Sequence, residues 1–287
     1  MRIKILFLLG VMIGWAVFHA GHAQAASTIA IEPTRIELAL KPGQTATNKL
    51  RVSNRGKKPI YVEISTQAFS VVNEKYDYQF SEAEELSKWL KFNQTSAEIE
   101  PNKTLYIEYQ IAVPNNAAPG GRYLAVFASV TGDEDNSNIV GRAGQMIYLT
   151  VSGSFKKDGQ LLDVNVPMLV FNRNVNWSYR VRNTGTVHFY SPLQTKLLNI
   201  FLQPIKTDKT DHLIMPNSIR LIDESLHLSA WPGIYILKAD IGAADRPPQH
   251  ITRPILFMPV PFILLLMLII YWLIRLARHR KNHKKAI

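Results

Sequence analysis

The sequence predicts an all-β protein that ends in one membrane-spanning helix, and three observations support this. Apolar and polar residues alternate over short runs through most of the chain, which places the apolar side chains of each extended run on one face. Gly, Pro and Asn separate these runs at 41–45, 54–59, 100–104 and 156–160, where they supply turn conformations. One uninterrupted apolar segment lies near the carboxyl end. We therefore expect half-buried antiparallel strands, arranged as sandwiches, ahead of the helix.

The alternation also predicts which side chains face a core. In the first half, the expected inward positions are Leu50, Val52, Ile60, Val62, Ile64, Leu105, Ile107, Tyr109, Ile111 and Val113. In the second half, they are Val175, Trp177, Tyr179, Val181, Ile234, Ile236 and Ile241. We expect Trp177 to occupy the centre of the second core.

Two short motifs each occur twice. Asn-x-Gly ends an alternating run in "LRVSNRG" at 50–56 and again in "YRVRNTG" at 179–185. A Pro-Gly step followed by Tyr opens an alternating run in "APGGRYLAVFASV" at 118–130 and again in "WPGIYILKADIG" at 231–242. Because the Asn-x-Gly motif precedes the Pro-Gly motif in both halves, we interpret the halves as two copies of one domain plan.

Two tandem immunoglobulin-like β-sandwiches fit this repeat, one over 26–154 and one over 155–250. The boundary is placed in 152–159, where a strand ends in small and polar residues. Structural roles are expected for Asn54, Gly56, Pro119, Gly120, Gly121 and Tyr123 in the first copy, and for Asn183, Gly185, Pro232, Gly233 and Tyr235 in the second. Tyr123 and Tyr235 stand where a sandwich places a tyrosine that ties its own corner.

The Pro-Gly-Gly step at 119–121 has two interpretations, a phosphate-binding loop or a corner at which a strand begins. A phosphate-binding loop requires a following helix whose amino terminus faces the anion. The run after Gly121 is rich in strand-forming residues and has no helical period. We therefore expect a corner.

The two ends of the chain predict its location. Residues 1–25 have the layout of a secretory signal peptide, with cleavage expected after Ala25. The segment 254–274 holds 21 uncharged residues, enough at about 1.5 Å each to cross a hydrocarbon core of roughly 30 Å. Its helix should start near Pro261, because proline is tolerated in a first turn. The basic tail, 275–287, should stay in the cytoplasm, which makes the chain a single-pass plasma-membrane protein with extracellular sandwiches.

The charge and cysteine content exclude two classes of function. The signal peptide carries two of the 11 net positive charges and the tail six, so the exported part retains only +3. A nearly neutral ectodomain lacks the positive surface that nucleic-acid binding requires. The chain has no cysteine, so disulfides and thiolate metal sites are also excluded.

One region departs from the strand pattern. The segment 67–92 is interpreted as an insertion with a small helix, because Ser81 and Glu84 form a capping box. Its aromatic residues alternate just before that helix, and two interpretations remain open. They form an exposed platform that packs on sugar rings or a partner protein, or they cover the open end of the first sandwich. The candidate binding residues are Tyr76, Tyr78, Phe80 and Trp89.

No catalytic pattern is found in the exported region. Its four histidines are not spaced as metal ligands, and none belongs to a nucleophile motif. The oxygen-rich run 133–138 lacks the glycine and distal glutamate of a calcium loop. A wall hydrolase would have to use Glu82, Glu84 or Glu85, but adjacent acids on a short helix usually form a solvated face. We expect neither an enzyme, nor a metal, nor a cofactor.

The chain resembles the WxL-interacting proteins of Gram-positive bacterial surfaces. They share its order of signal peptide, two immunoglobulin-like domains, transmembrane helix and short basic tail. The stretches that carry the likeness are "IEPTRIELALKPGQTATNKLRVSNRGKKPI" at 31–60, "VPNNAAPGGRYLAVF" at 113–127 and "VRNTGTVHFYSP" at 181–192. The resemblance implies that the first domain binds peptidoglycan and the second a partner protein.

Two functions follow from these observations. The leading hypothesis is a membrane-anchored, non-enzymatic cell-surface protein that binds cell-wall polymer or another surface protein. The alternative is an envelope assembly or chaperone-like subunit, in which an exposed sheet edge accepts a strand from a client protein. The segment 31–60 also resembles the first domain of pilus-assembly chaperones, although those proteins are soluble and have no membrane anchor.

Overall fold

A computed structural model describes residues 29–82, 84–131, 139–228 and 231–284. Across these ranges the chain forms eighteen strands and two helices, which confirms the all-β class with one apolar helix near the carboxyl end. The signal peptide, residues 1–25, and the run 133–138 lie outside the described residues.

The first half contains ten strands and a one-turn helix. They are β1 (Ile29–Glu32), β2 (Arg35–Leu40), β3 (Thr45–Asn54), β4 (Ile60–Val71), β5 (Tyr78–Ser81), α1 (Glu84–Ser87), β6 (Leu90–Phe92), β7 (Ser96–Ile99), β8 (Thr104–Ala112), β9 (Gly120–Thr131) and β10 (Ile139–Val151). One sheet has the order β1-β3-β8-β6. The other has the order β2-β10-β9-β4-β5, with β7 also paired to β4. These two sheets are called the amino-terminal sheet pair below.

The second half contains the other eight strands and the long helix. They are β11 (Gly159–Asn165), β12 (Leu169–Val170), β13 (Asn174–Asn183), β14 (Phe189–Leu198), β15 (Pro204–Ile214), β16 (Ile219–His227), β17 (Gly233–Ala243), β18 (Arg246–Phe257) and α2 (Val260–Lys284). The sheets have the orders β11-β13-β16 and β12-β18-β17-β14-β15, and are called the carboxyl-terminal sheet pair. In both halves a short strand lies parallel to the last strand, β2 to β10 and β12 to β18.

Each sheet pair encloses its own apolar core, and most of the predicted inward residues are there. Trp177 is buried and stacks on Tyr179 with ring centroids 5.6 Å apart. The prediction for β17 is wrong by one residue at its start. Ile234 is half exposed and Ile236 only partly buried, because Tyr235 and Leu237 take the inward positions of this strand.

The two Asn-x-Gly motifs form the same hydrogen bonds. Both asparagines are buried. The Asn54 side-chain amide donates to the carbonyls of Lys58 and Ile99, each at 2.8 Å, and its oxygen accepts from the Gly56 N–H at 2.8 Å. Asn183 repeats this arrangement with the carbonyls of Val187 and Ile214 and the N–H of Gly185. One side chain thus fixes the turn and ties it to a distant strand in both halves.

The Pro-Gly steps precede strands, as expected of corners. β9 begins at Gly120 and β17 at Gly233, and no helix follows either step. Gly120 has a φ of 131°, a conformation that residues with a side chain rarely adopt. Pro119 packs against Gly153, where an added Cβ would lie 2.5 Å from the proline ring.

Two predicted boundaries are wrong. The segment 67–92 is no insertion, because β4 runs to Val71, β5 extends the same sheet and β6 joins the opposite one. The second sheet pair does not end at residue 250, since β18 continues to Phe257 and includes the first four residues of the predicted span. β18 can continue through its prolines because most of it lies at the edge of the sheet, where prolines are tolerated. The helix itself begins at Val260, next to the predicted Pro261.

Candidate functional site

A tyrosine joins the two sheet pairs. Tyr76 is only 8% exposed and has a φ of 69°. Its hydroxyl accepts a hydrogen bond from the N–H of Met215 at 2.6 Å and lies 2.9 Å from the Ser218 hydroxyl. The Arg220 guanidinium lies over its ring, 4.5 Å from the centroid, and burial raises the pKa of the Tyr76 hydroxyl. Tyr76 is therefore no part of an exposed platform, which was one of the two interpretations that the sequence left open.

Glu74 strengthens the same junction. Its carbonyl accepts from the N–H of Leu221 at 2.8 Å, and its carboxylate accepts from the Arg180 guanidinium at 2.7 Å. The β4–β5 turn of the amino-terminal sheet pair is thus held against β13 and β16 by backbone and side-chain bonds.

Tyr123 forms a second link between the halves. Its hydroxyl accepts from the N–H of His188 at 2.9 Å and lies 3.1 Å from the Nδ1 of the same residue. Burial lowers the pKa of His188, despite the nearby Glu37 carboxylate. The expected tyrosine corner is wrong for Tyr123, since its partner is 65 residues away in the other sheet pair. Tyr235, in contrast, donates to the carbonyl of Trp231, four residues upstream.

Aromatic side chains cover the outer face of the sheet that contains β10. Phe69 is central among them, with ring centroids 5.2 Å from Tyr148, 5.6 Å from Tyr78 and 5.7 Å from Tyr123. Leu213 and Met215 of the other sheet pair pack on part of this surface. We define the aromatic face as Phe69, Tyr78, Phe80, Tyr123, Phe127 and Tyr148.

The aromatic face remains accessible at β5. Tyr78 is 44% exposed and Phe80 38%, with their rings stacked at 6.5 Å and 28°. Phe80 also meets Phe127 edge to face at 5.0 Å. Trp89 lies elsewhere and packs against the amino-terminal core. Tyr78 and Phe80 are therefore the two candidate residues that share an exposed surface, and their binding role stays a prediction.

A polar cluster borders the aromatic face. The Arg35 guanidinium lies 4.1 Å from the ring centroid of Tyr148 and donates to the Tyr190 hydroxyl at 2.6 Å. That hydroxyl in turn donates to Glu37. Burial raises the pKa of Tyr148. The cluster keeps β2 in contact with β14 across the junction.

Part of the β10 edge is open. β2 pairs with β10 only from Met146 to Val151, so among the described residues no strand is hydrogen-bonded to Gly141–Gln145 on the side away from β9. The N–H of Met146 donates to Thr34 of the chain leading into β2. Because backbone groups alternate in direction along a strand, the N–H and C=O of Arg142 and Gly144 point to the same side. We call this side of Gly141–Gln145 the open edge.

The Arg142 side chain does not cover the open edge. Its guanidinium lies 3.4 Å from the centroid of the Phe127 ring and donates to Gln67 at 2.9 Å. It therefore extends back over β9 and β4. Gly144 leaves room for the same ring, because a Cβ there would lie 2.8 Å from Phe127. Beside the open edge, Ile29 of β1 packs against Gly141 and the Gln145 side chain donates to the Pro33 carbonyl at 2.9 Å, while the outward backbone groups of Arg142 and Gly144 pair with no strand among the described residues.

Five residues of the site were not predicted from the sequence: Phe69, Phe127, Tyr148, Arg35 and Arg142. One signal was available in β9, whose run "YLAVFAS" is apolar at successive positions. Such a run is typical of a strand covered on both faces. No sequence signal marks the open edge, since it depends on where β2 stops.

The described residues contain no group of three or more His, Cys, Asp and Glu side chains placed to hold a metal ion. The chemistry that the site offers is apolar contact at the aromatic face and backbone hydrogen bonding at the open edge.

No protein-family model and no curated protein matches the chain. Among solved structures, it is similar to the CsuC–CsuE chaperone and tip adhesion subunit complex of Acinetobacter baumannii Csu pili, with 11% identity and a TM-score of 0.41. The alignment covers 81% of this chain and all of that chain. The class 5 fimbriae chaperone CfaA is similar at 11% identity with a TM-score of 0.40, over 79% of this chain and 99% of that chain. The Pseudomonas aeruginosa CupB2 chaperone is similar at 12% identity with a TM-score of 0.37, over 79% of this chain and all of that chain. At these identities and TM-scores, no role of those proteins carries over to this chain.

Proposed function

We propose that this chain is a membrane-anchored, non-catalytic assembly subunit of a cell envelope, which binds an extended segment of a partner protein by strand addition. The observation that carries the proposal is the open edge of β10. Two backbone N–H groups and two C=O groups, those of Arg142 and Gly144, point away from β9 there. The unpaired N–H and C=O groups of an exposed strand edge are a template for pairing with another chain.

The dimensions of the open edge suit a short strand. Five residues at about 3.4 Å each give an edge of roughly 17 Å. Gly141 and Gly144 add no side-chain bulk beside it. An incoming strand would gain main-chain hydrogen bonds from the edge, and its side chains would rest on the outer face of the sheet near Phe127. Affinity would then come from the backbone and selectivity from the aromatic face.

Replacement of Arg142 tests this proposal. Arg142→Pro removes the outward N–H and blocks strand addition, while Arg142→Ala removes the same side chain and retains the N–H. The probe is a displayed library of short extended peptides, selected against the full chain in lipid nanodiscs. We expect the affinity for the selected peptides to fall by about tenfold or more in the proline variant, and by much less in the alanine variant. Circular dichroism and the thermal midpoint check that both variants fold.

Two outcomes would overturn the proposal. One is the absence of any peptide that binds the wild-type chain. The other is equal binding of selected peptides by the proline and alanine variants, which would place the contact elsewhere. A peptide that competes with other peptides and is unaffected by cell-wall fragments would support strand addition over wall binding.

The anchor in this proposal is α2. Nineteen residues, Val260–Arg278, have a mean hydropathy of 2.4, and this stretch is not buried against the rest of the described protein. At about 1.5 Å per residue this stretch is roughly 28 Å long, close to the thickness of a hydrocarbon core. The basic residues of 275–287 favour a cytoplasmic location for this tail. Both sheet pairs would then lie on the opposite side of the membrane.

A second candidate function is cell-wall polymer binding, and the exposed pair Tyr78 and Phe80 favours it. Adjacent rings on a flat strand can pack on sugar rings. Retention of the chain on isolated bacterial sacculi, lost when both residues are replaced by alanine, would support this candidate. Membership of the WxL-interacting family, and the roles it implies, stays a prediction.

A further inference from the structure

Apolar side chains cluster at one end of the carboxyl-terminal sheet pair. Three chain segments contribute them: the first lies around β12, the second at the β14–β15 turn and the third around the start of β17. Trp231 is 87% exposed, Phe201 80% and Met168 72%. We define the apolar end as Met168, Leu169, Phe171, Ile200, Phe201, Leu202, Trp231 and Ile234, all of them exposed.

The strand register puts these segments at the end where α2 begins. Leu169 pairs with Leu256 at the end of β18, and Gly233 pairs with Phe257. Leu198, the last residue of β14, pairs with Ile236 near the start of β17. The three segments therefore surround the point at which the chain leaves the sheet for the helix.

The link between sheet and helix is short. Only Met258 and Pro259 separate β18 from α2, and the Met258 N–H donates to the Val170 carbonyl at 2.9 Å. Two extended residues span about 7 Å. The polar layer on each side of a hydrocarbon core is of similar thickness, roughly 5–7 Å. If α2 crosses a membrane, its apolar neighbours must therefore lie within reach of the lipid head groups.

The local charge agrees with this location. The sequence has no Asp or Glu within 168–174, 199–206, 227–234 or 254–262, while Arg173 lies in the first of these stretches. Trp, Phe and Leu together with basic residues are the composition found at membrane interfaces. An apolar surface of this kind on a water-facing domain usually marks an interaction site.

The β14–β15 turn is built to project its apolar residues. The Asn199 side-chain oxygen accepts from the N–H groups of Phe201 and Gln203, at 3.0 and 2.9 Å. The Leu202 N–H donates to the Asn199 carbonyl, and Leu202 has a φ of 61°. A bulky residue rarely adopts that conformation. Polar groups thus hold the turn from inside, while Ile200, Phe201 and Leu202 face outward.

We propose that the apolar end lies in the interfacial layer of the bilayer that α2 spans, so that the carboxyl-terminal sheet pair rests on the membrane surface. This inference depends on the proposed membrane span of α2. The three segments contact lipid head groups and the upper part of the acyl chains, which fixes the height of the protein. The open edge of β10, in the other sheet pair, is then presented at a defined distance from the membrane.

Site-directed spin labelling tests the inference, and the absence of native cysteine permits single labels. The variants are Met168→Cys and Phe201→Cys at the apolar end, and Leu268→Cys within α2. Tyr106→Cys, an exposed aromatic position on β8, serves as the matched control. The full chain is reconstituted in vesicles of phosphatidylcholine and phosphatidylglycerol. Collisions of each label with oxygen, which concentrates in lipid, and with a water-soluble nickel chelate are then measured.

We expect oxygen to relax the labels at positions 168, 201 and 268 more than the nickel chelate does, and the reverse at position 106. Water-like behaviour at 168 and 201, together with a lipid-like label at 268, would overturn this inference and leave the membrane span intact. Water-like behaviour at 268 as well would overturn the proposed anchor and the inference that depends on it.

Discussion

The Tyr76→Ala variant is expected to weaken the junction so far that the two sheet pairs unfold independently, although each remains folded under native conditions. The substitution removes a buried ring and leaves the Met215 N–H and the Ser218 hydroxyl without this partner. Loss of a buried aromatic ring costs about 3–5 kcal/mol, and an unsatisfied buried donor about 1–3 kcal/mol. We expect calorimetry to show two thermal transitions for the variant and one for the wild type, and small-angle scattering to show a larger radius of gyration.

Tyr78→Ala is the matched control for this experiment. Tyr78 is two residues away and belongs to the same aromatic cluster, but its hydroxyl lies 3.3 Å from that of Tyr148 in its own sheet pair, and its side chain remains 44% exposed. It should keep a single transition with a modestly lower midpoint. A single unchanged transition in the Tyr76 variant would contradict the role assigned to this junction.

Asn54→Ala is expected to unfold the amino-terminal sheet pair at markedly lower denaturant concentration. The side chain satisfies two carbonyls and one N–H, and its removal leaves all three without this bond, with the Ile99 carbonyl buried and the other two groups partly buried. At about 1–3 kcal/mol for each unsatisfied group, we expect a loss of at least about 3 kcal/mol in the free energy of unfolding. Chemical denaturation followed by tryptophan fluorescence measures it.

Two further variants make the test specific. Asn183→Ala should cause a loss of similar size in the carboxyl-terminal sheet pair, because its three bonds repeat those of Asn54. Asn176→Ala removes an exposed asparagine that accepts a hydrogen bond from the Ser225 hydroxyl, and should change stability by less than about 0.5 kcal/mol. Equal effects of all three substitutions would show that the buried bonds have no special role.

The features that were predictable from sequence are local ones. Alternation along β3, β8 and β13 identified buried positions, because each strand has one face on a core. The Asn-x-Gly repeat was visible since the turn and its glycine are adjacent in sequence. The start of α2 was predictable because proline restricts where a helix can begin.

The features that escaped prediction depend on contacts between distant residues. Tyr123 has the sequence context of a corner tyrosine, yet its hydroxyl bonds His188 in the other sheet pair. Tyr76 belongs to an alternating aromatic run, but it is buried because it contacts the β15–β16 turn, which is distant in sequence. The open edge exists because β2 pairs with only part of β10. The register of this pairing is not encoded locally, since 105 or more residues separate the paired stretches.

Residue-resolved amide hydrogen exchange at β10 is the most direct test of the central claim that part of this edge is free to bind a strand. It would be measured on the full chain in lipid nanodiscs. The expected result is an alternation, with rapid exchange at Arg142 and Gly144 and slow exchange at Ala143 and Gln145, whose N–H groups face β9. Slow exchange at all four amides would contradict the claim, because it would show that the edge is already covered.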